Sequence, residues 1–173
     1  RSNSIVIEKN VNNVITESFR SLRTNMQFVM KNSEGKVMLF TSTFSGEGKT
    51  FISTNMAASI ALLGKKVLLM GCDIRRPRLA EVFGFSRNDE GLTSYLAADK
   101  KDVDILDRCI KKSGVLEGFD LLPAGIVPPN PAELLTGENF DVAIEYLKTK
   151  YDYIVIDSAP VGLVTDTLIA SRV

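Results

Sequence analysis

The sequence predicts an α/β fold, a three-layer sandwich in which a mainly parallel sheet is flanked by helices. Short, almost entirely apolar segments alternate along the chain with longer segments of helical periodicity. Strands that are apolar throughout are typical of a sheet covered on both faces, and their alternation with helices favours parallel pairing. The length of 173 residues, with no linker-like stretch, fits one domain with its own core.

The first elements are read from periodicity and from the residues that end each run. An amphipathic helix is predicted over residues 14–31, because its apolar residues recur at helical spacing: Ile15, Phe19, Leu22, Met26 and Val29. The apolar run 37–40 is bounded by turn formers and is expected to be a buried strand. After loop 41–48, a second helix is predicted over about 49–63, ended by Gly64.

The later elements follow the same alternation. Apolar runs at 67–70, 119–122 and 153–156 predict strands, and short helices are expected at 78–83 and 91–96, with a longer one at 139–150. Pro131 suits the first turn of a further helix after the rigid loop 128–131. Lys49 with its loop, Asp73 and Asp157 all follow strand ends, where parallel α/β sheets place their active crevice.

Composition excludes several classes of function. Lys and Arg together number 21, as do Asp and Glu, so the chain lacks the basic excess of a general nucleic-acid or membrane-surface binder. It contains no histidine, which excludes Ser-His-Asp and Cys-His catalysis and most zinc sites. Cys72 and Cys109 match no metal or redox spacing and are interpreted as reduced thiols. Chemistry must therefore depend on carboxylates, Lys, Arg, hydroxyls and backbone groups.

Residues 43–50, TFSGEGKT, carry the strongest motif, a Walker A pattern in which Thr43 replaces the first glycine. Glycines let successive N–H groups cradle phosphate oxygens at a helix N-terminus. Lys49 can reach the β- and γ-phosphates, and the Thr50 hydroxyl can ligate Mg²⁺. The strand, loop and helix in this order disfavour a turn that only caps a helix. The predicted nucleotide-binding residues are Ser45, Gly46, Glu47, Gly48, Lys49, Thr50 and Phe51.

Two carboxylates at strand ends are candidates for metal and proton chemistry. Asp157 ends an apolar strand in the manner of a Walker B residue, which makes it the expected Mg²⁺ partner of the phosphate loop. Asp73 could accept a proton from an attacking hydroxyl or contact the metal shell. It could equally cap the next helix or pair with Arg75 or Arg76, and the sequence leaves these alternatives open.

Several motifs together resemble a known family. Residues 38–79 look like the deviant-Walker ATPases that include the Min and Par partitioning proteins. Within that class the chain is most similar to the bacterial tyrosine kinases (BY-kinases) of capsule and exopolysaccharide export. The motifs that carry the resemblance are SGEGKT at 45–50, DIRRP at 73–77, GLT at 91–93, LPAG at 122–125, PPNP at 128–131, ELL at 133–135 and DSAP at 157–160. No lysine lies between Thr41 and Gly48, which favours the kinase branch.

The resemblance implies an ATP-binding domain at the cytoplasmic face of the bacterial inner membrane. Such a domain autophosphorylates tyrosine in trans and regulates polysaccharide synthesis and export. Lys49, Asp73 and Asp157 are the implied catalytic residues, with Thr50, Asp73 and Asp157 around Mg²⁺. The family usually has a second acidic residue where this chain has Gly71, so Asp73 is the remaining candidate base. The alternative is a nucleotide-dependent assembly switch or scaffold with little kinase activity.

The resemblance also implies partners. Residues 1–35 would form an N-terminal helical segment packed on a kinase domain at 36–173, and Glu17, Arg20 and Arg23 match a motif that mediates ring assembly. On an ordinary solvated helix, Glu17 and Arg20 would simply pair. A membrane activator, or a membrane region of the same polypeptide, is expected.

The expected acceptor is the tyrosine-rich C-terminal tail of a neighbouring subunit. The chain is therefore interpreted as a piece of a longer protein whose C-terminal part is missing. The role of the basic segment that follows Asp73 stays open, since Arg75, Arg76 and Arg78 could bind phosphate or an acidic peptide, or be plain surface charges.

Overall fold

Helices and strands alternate along the chain as predicted. The computed structural model describes residues 5–7, 13–32, 37–99, 102–136 and 138–160. The helices are α1 (Val14–Val29, continued by a 3₁₀ turn, Met30–Asn32), α2 (Lys49–Ala61), α3 (Leu79–Val82), α4 (Leu92–Leu96), α5 (Val103–Cys109), α6 (Pro131–Thr136) and α7 (Glu138–Lys148). The strands are β1 (Val37–Phe40), β2 (Val67–Gly71), β3 (Lys111–Lys112), β4 (Phe119–Leu122) and β5 (Tyr153–Asp157).

Within the described ranges, the strands form one sheet in the order β1-β5-β2-β4-β3. Strands β1, β5, β2 and β4 are parallel, and only the two-residue edge strand β3 is antiparallel to its neighbour. In the register, Asp157 lies opposite both Phe40 and Gly71. The carboxyl ends of the three neighbouring strands β1, β5 and β2 are therefore level, and the predicted mainly parallel sheet is confirmed.

Two hydrophobic clusters cover the two faces of this sheet, which confirms the three-layer architecture. Successive residues of β2 contribute to opposite clusters, with Val67 and Leu69 on the face of α1 and α2, and Leu68 and Met70 on the face of α4 to α7. Helix α2 is buried on all sides from Ser53 to Ala61, so it forms an internal wall of the sandwich. The parallel strands β1, β5, β2 and β4 are almost entirely apolar because each must fill both clusters.

Two elements have no counterpart in the sequence-based prediction. Helix α5 is seven residues long and is capped by Asp102, whose side chain accepts a hydrogen bond from the Asp104 N–H. Strand β3 consists of two lysines and forms only through its pairing with β4. Such short elements carry too few turns or alternations for a periodic signal. The other predicted boundaries agree with the structure to within about two residues, and the predicted continuation after β5 falls on residues outside the described ranges.

A membrane-spanning helix is not found among the residues that the structure describes.

Candidate active site

The loop between β1 and α2 has the backbone geometry of an anion cradle. Gly46 and Gly48 have φ angles of 93° and 84°, in the left-handed region that glycine adopts most readily. Gly48 is the N-cap residue of α2 and supplies no side-chain cap. The first N–H groups of a 13-residue helix therefore face the loop without an internal partner, which is the arrangement that binds phosphate in P-loop proteins.

A cavity of about 240 Å³ lies over this loop at the carboxyl edge of the sheet. Six of the seven predicted nucleotide-binding residues line it: Ser45, Gly46, Gly48, Lys49, Thr50 and Phe51. Asp73 lines the same cavity, as do residues that sequence reasoning did not assign to it, namely Ser42, Arg76, Arg78, Val82 and Pro160. The loop and β2 therefore meet at one site, as the rule for parallel α/β sheets predicts.

Glu47 is the predicted nucleotide-binding residue that does not line the cavity. Its carboxylate accepts hydrogen bonds from the backbone N–H groups of Thr43 and Phe44, at 2.9 and 3.1 Å. These bonds connect the side chain of Glu47 to the backbone at the start of the same loop. The side chain of Glu47 thus stabilises the conformation of the loop. Nucleotide binding through the backbone N–H of Glu47 stays a prediction.

Lys49, Thr50 and Asp157 form a connected polar group at the base of the cavity. The Lys49 ammonium donates to Asp157 Oδ1 at 2.6 Å, and the Thr50 hydroxyl donates to Asp157 Oδ2 at 2.8 Å. The Lys49 and Asp157 side chains are only 8% and 4% exposed. Asp157 therefore supplies both the counter-charge for the buried lysine and the acceptor for the threonine.

The donor set fits a magnesium ion rather than a metal held by protein alone. The described residues contain no cluster of three or more His, Cys, Asp or Glu side chains that could enclose a metal. Thr50, which lines the cavity, and Asp157, which accepts its hydroxyl hydrogen bond, offer one hydroxyl and one carboxylate. Mg²⁺ is usually bound by one or two such oxygen ligands together with substrate phosphates and water.

Asp73 has a contact within the turn after β2 and also lies at the cavity, and its predicted roles as base and metal contact stay predictions. Its Oδ1 accepts a hydrogen bond from the Arg76 N–H at 3.1 Å, which shapes the turn after β2, and its side chain also lines the cavity. Burial raises the pKa of Asp73 above its usual value, while the Arg76 amide and the Lys49 charge offset part of that rise. A carboxyl group of this kind is a better proton acceptor than an exposed aspartate.

Gly71, where the BY-kinase pattern has an acidic residue, lies in tight packing. A Cβ atom at this position would be 3.1 Å from the Ala124 N atom and 3.4 Å from Leu79 Cδ2. The end of β2 therefore approaches its neighbours more closely than a side chain would allow without a small shift. Asp73 is the carboxylate that this strand end contributes to the cavity.

The three residues of the predicted assembly motif on α1 differ in what they contact. Arg20 pairs with Glu17 at 2.5 Å on the exposed side of the helix. Arg23 instead donates to the Ser59 carbonyl oxygen at 2.6 Å and to the Ser59 hydroxyl at 3.2 Å. Arg23 thus fastens α1 to α2, whereas Glu17 and Arg20 face outwards. The domain boundary near residue 35 and the assembly role both remain predictions.

Comparison with known proteins agrees with this geometry. The chain matches the AAA domain family over residues 35–172. It is 38% identical over 163 residues to tyrosine-protein kinase wzc of Salmonella typhi, an alignment that covers 94% of this chain but only 22% of that protein. The chain therefore spans less than a quarter of the length of this relative.

Solved structures show the same likeness. The kinase domain of Escherichia coli tyrosine kinase ETK superposes with a TM-score of 0.85 at 34% identity, over 95% of this chain and 66% of that chain. The septum site-determining protein MinD of Pyrococcus horikoshii, solved with Mg-ADP, superposes with a TM-score of 0.64 at 28% identity, over 80% and 54% of the two chains. The chain belongs to the AAA domain family, in the P-loop group that contains the bacterial tyrosine kinases and the MinD-like ATPases.

Proposed function

We propose that the chain is the catalytic domain of an ATP-dependent protein-tyrosine kinase. The observation that carries the proposal is the group formed by Lys49, Thr50 and Asp157 at the cavity over the phosphate loop, with Asp73 among the residues that line this cavity. This group has the parts that phosphoryl transfer requires, a phosphate cradle, a cation, metal-ligand oxygens and a carboxylate base. The names of the relatives support tyrosine as the acceptor.

In the proposed reaction the chain acts mainly by positioning and charge. The loop amides and Lys49 bind and orient the phosphates, and Lys49 exchanges its contact with Asp157 for a phosphate oxygen. Thr50 and Asp157 would hold Mg²⁺, which neutralises phosphate charge when bound. Asp73 accepts the proton of the tyrosine hydroxyl as that oxygen bonds to the γ-phosphorus and the bond to the ADP oxygen breaks.

The acceptor tyrosine would come from another segment or another copy of the chain. Tyr95 and Tyr153 are 1% and 7% exposed, which leaves them unable to enter a neighbouring cavity. The hydroxyl groups of Tyr146 and Tyr151 donate to Asp107 and Asp120, both at 2.8 Å. A tyrosine-rich tail supplied in trans is therefore the acceptor that we propose.

We further propose the setting in which this reaction takes place. Copies of the chain would assemble into a ring through the α1 face that carries Glu17 and Arg20. The assembly would lie at the cytoplasmic face of the inner membrane, under the control of a membrane activator or a fused membrane region. It would regulate capsular or exopolysaccharide synthesis and export. The resemblance of the motifs to BY-kinases supports this setting.

The test of the kinase proposal follows the labelled γ-phosphate of MgATP with a tyrosine-rich peptide as acceptor. We expect phosphotyrosine from the native chain and a loss of at least about a hundredfold in Lys49→Met, because that variant lacks the phosphate-binding cation. Label released only as free phosphate, with protein and peptide intact, would contradict the kinase proposal and would favour the ATP-dependent assembly switch.

The proposed base gives a second prediction. Asp73→Asn keeps an acceptor for the Arg76 N–H but cannot take a proton, so the rate of phosphoryl transfer is expected to fall by about 10²-fold or more. The affinity for ATP is expected to stay within about a factor of two. Single-turnover transfer and equilibrium nucleotide binding measure the two effects, and an unchanged transfer rate would remove Asp73 from the mechanism.

The same variant has an opposite expected effect on stability. Because burial raises the pKa of Asp73, ionisation of its carboxyl group destabilises the folded protein at neutral pH. Well below its ordinary pKa, the group is protonated in both the folded and unfolded states, and this destabilisation vanishes. Nucleotide-free Asp73→Asn should therefore melt higher than the native chain at pH 7, and the difference should shrink as the pH falls towards 4. A difference independent of pH would contradict this account.

A further inference from the structure

A second cavity, of about 470 Å³, lies beside the candidate active site, and we call it the arginine cleft. Its walls include four arginines and two aliphatic residues: Arg75, Arg76, Arg78, Arg87, Ile126 and Val127. Arg76 and Arg78 line both this cleft and the cavity over the phosphate loop. The two cavities are therefore neighbours, and a single extended ligand can occupy both.

The charge of the arginine cleft is local, since the chain as a whole has a net charge of zero. No carboxylate is among the described residues that line the cleft. Two of the acidic residues nearby in sequence are engaged by other cations, because Asp89 pairs with Lys111 at 2.9 Å and Glu90 pairs with Arg108 at 3.0 Å. The cleft thus concentrates positive charge in a concave space, which favours an anionic ligand.

One carboxylate does compete for the cleft from its rim. Glu81 on α3 pairs with Arg87 at 2.5 Å, and both side chains are about half exposed. An exposed pair of this kind contributes little to stability, so an incoming carboxylate can replace it. This pair provides a way to test the cleft with a substitution that should strengthen binding rather than weaken it.

The aliphatic residues of the cleft favour a ligand with apolar parts over a simple anion. Ile126 and Val127 are 57% and 50% exposed, although they follow the buried Gly125. The Thr93 hydroxyl donates to the Ile126 carbonyl oxygen at 2.9 Å and so holds the segment in place. A cleft lined by both arginines and aliphatic side chains suits a peptide that carries both acidic and apolar or aromatic residues.

We propose that the arginine cleft is a specificity subsite that binds acidic side chains flanking the acceptor tyrosine in the substrate segment. This inference rests on the proposed kinase function. A tyrosine in the first cavity would place its neighbours at the shared residues Arg76 and Arg78, and each extended residue adds about 3.3 Å. Asp or Glu within about four residues of the tyrosine would then reach the cleft. Arg75 and Arg87 line only the cleft and would act in substrate choice, away from the nucleotide.

The test compares two synthetic peptides, a tyrosine flanked by glutamates and its counterpart with glutamines. With the native chain, we expect the KM for the glutamate peptide to be about tenfold lower, with similar kcat. In the double variant Arg75→Gln/Arg87→Gln this preference should fall to about twofold, with the KM for ATP unchanged.

Glu81→Gln should act in the opposite direction and lower the KM for the glutamate peptide by about twofold, because it removes the competing carboxylate from Arg87.

The matched control is Lys112→Gln, which removes an exposed cation from the edge strand β3, outside the cleft. We expect it to leave the preference for glutamate intact. Equal KM values for the two peptides, or a loss in Lys112→Gln as large as in the double variant, would overturn the proposal.

Binding measured without turnover separates the failure of this proposal from the failure of the kinase proposal. Fluorescence anisotropy of the labelled peptides, with ADP present, should show the same charge preference. Preferential binding of the glutamate peptide without phosphotyrosine formation would support the subsite and contradict the kinase function. Phosphoryl transfer to both peptides with no charge preference would support the kinase function and contradict the subsite. Binding to anionic lipid vesicles that the double variant abolishes, with no preference between peptides, would assign the cleft to a membrane surface instead.

Discussion

Asp157→Asn is expected to lower the rate of phosphoryl transfer by about 10³-fold. Asp157 is the group through which Lys49 and Thr50 are held together, at 2.6 and 2.8 Å. A carboxamide has no charge and replaces one of the two acceptor oxygens by an NH₂ donor, so it cannot accept from both groups at their native positions or contribute the negative charge of a metal ligand. Single-turnover transfer from labelled MgATP measures the effect.

The ligand-free variant should also be less stable, by about 2 kcal/mol, because the Lys49 ammonium is almost buried and loses its counter-charge. ADP phosphates supply that counter-charge, so ADP without metal should raise the melting temperature of Asp157→Asn more than that of the native chain. Asp152→Asn is the matched control, since the Asp152 side chain accepts from the Lys66 N–H near the opposite end of β5, away from Lys49 and Thr50. Near-native transfer by Asp157→Asn would contradict the assignment.

Gly91→Ala is expected to destabilise the fold by about 3 kcal/mol or more and to lower the melting temperature by about 10 °C. The backbone of Gly91 is extended and open to any residue, so the effect is steric. A Cβ at this position would collide with the Pro123 carbonyl oxygen and would lie 2.5 Å from the Gly125 N atom. Backbone atoms cannot move aside as flexible side chains can. Thermal or denaturant unfolding measures the change.

Gly114→Ala provides the comparison for Gly91→Ala. Gly114 has a φ of 71°, but nothing lies within 4 Å of the position that its Cβ would take. Its substitution is therefore expected to cost only the backbone strain, about 1 kcal/mol. Equal losses of stability in the two variants would contradict this account, because they would show that close backbone packing between Gly91 and Gly125 does not contribute.

The elements and motifs that were predictable from sequence are those with local causes. The strands β1, β2, β4 and β5 are short apolar runs, and the loop at 43–50 carries its own geometry in Gly46 and Gly48. Periodicity in α1 and α7 reflects one buried face. In each case the residues that cause the structure lie within one segment, so the sequence alone determined an α/β sheet with a phosphate-binding loop at its carboxyl edge.

The tertiary structure decided what depends on residues far apart in the chain. Strand β5 is inserted between β1 and β2, and this order brings Asp157 to Lys49, 108 positions earlier. Packing against α2 turns Arg23 inwards, although its spacing alone groups it with Glu17 and Arg20. The arginine cleft likewise joins the turn after β2 with the loop after β4. Strand order and loop contacts are set by long-range packing and pairing, to which no local pattern corresponds, so they emerge only when the sheet and its two helical layers come together.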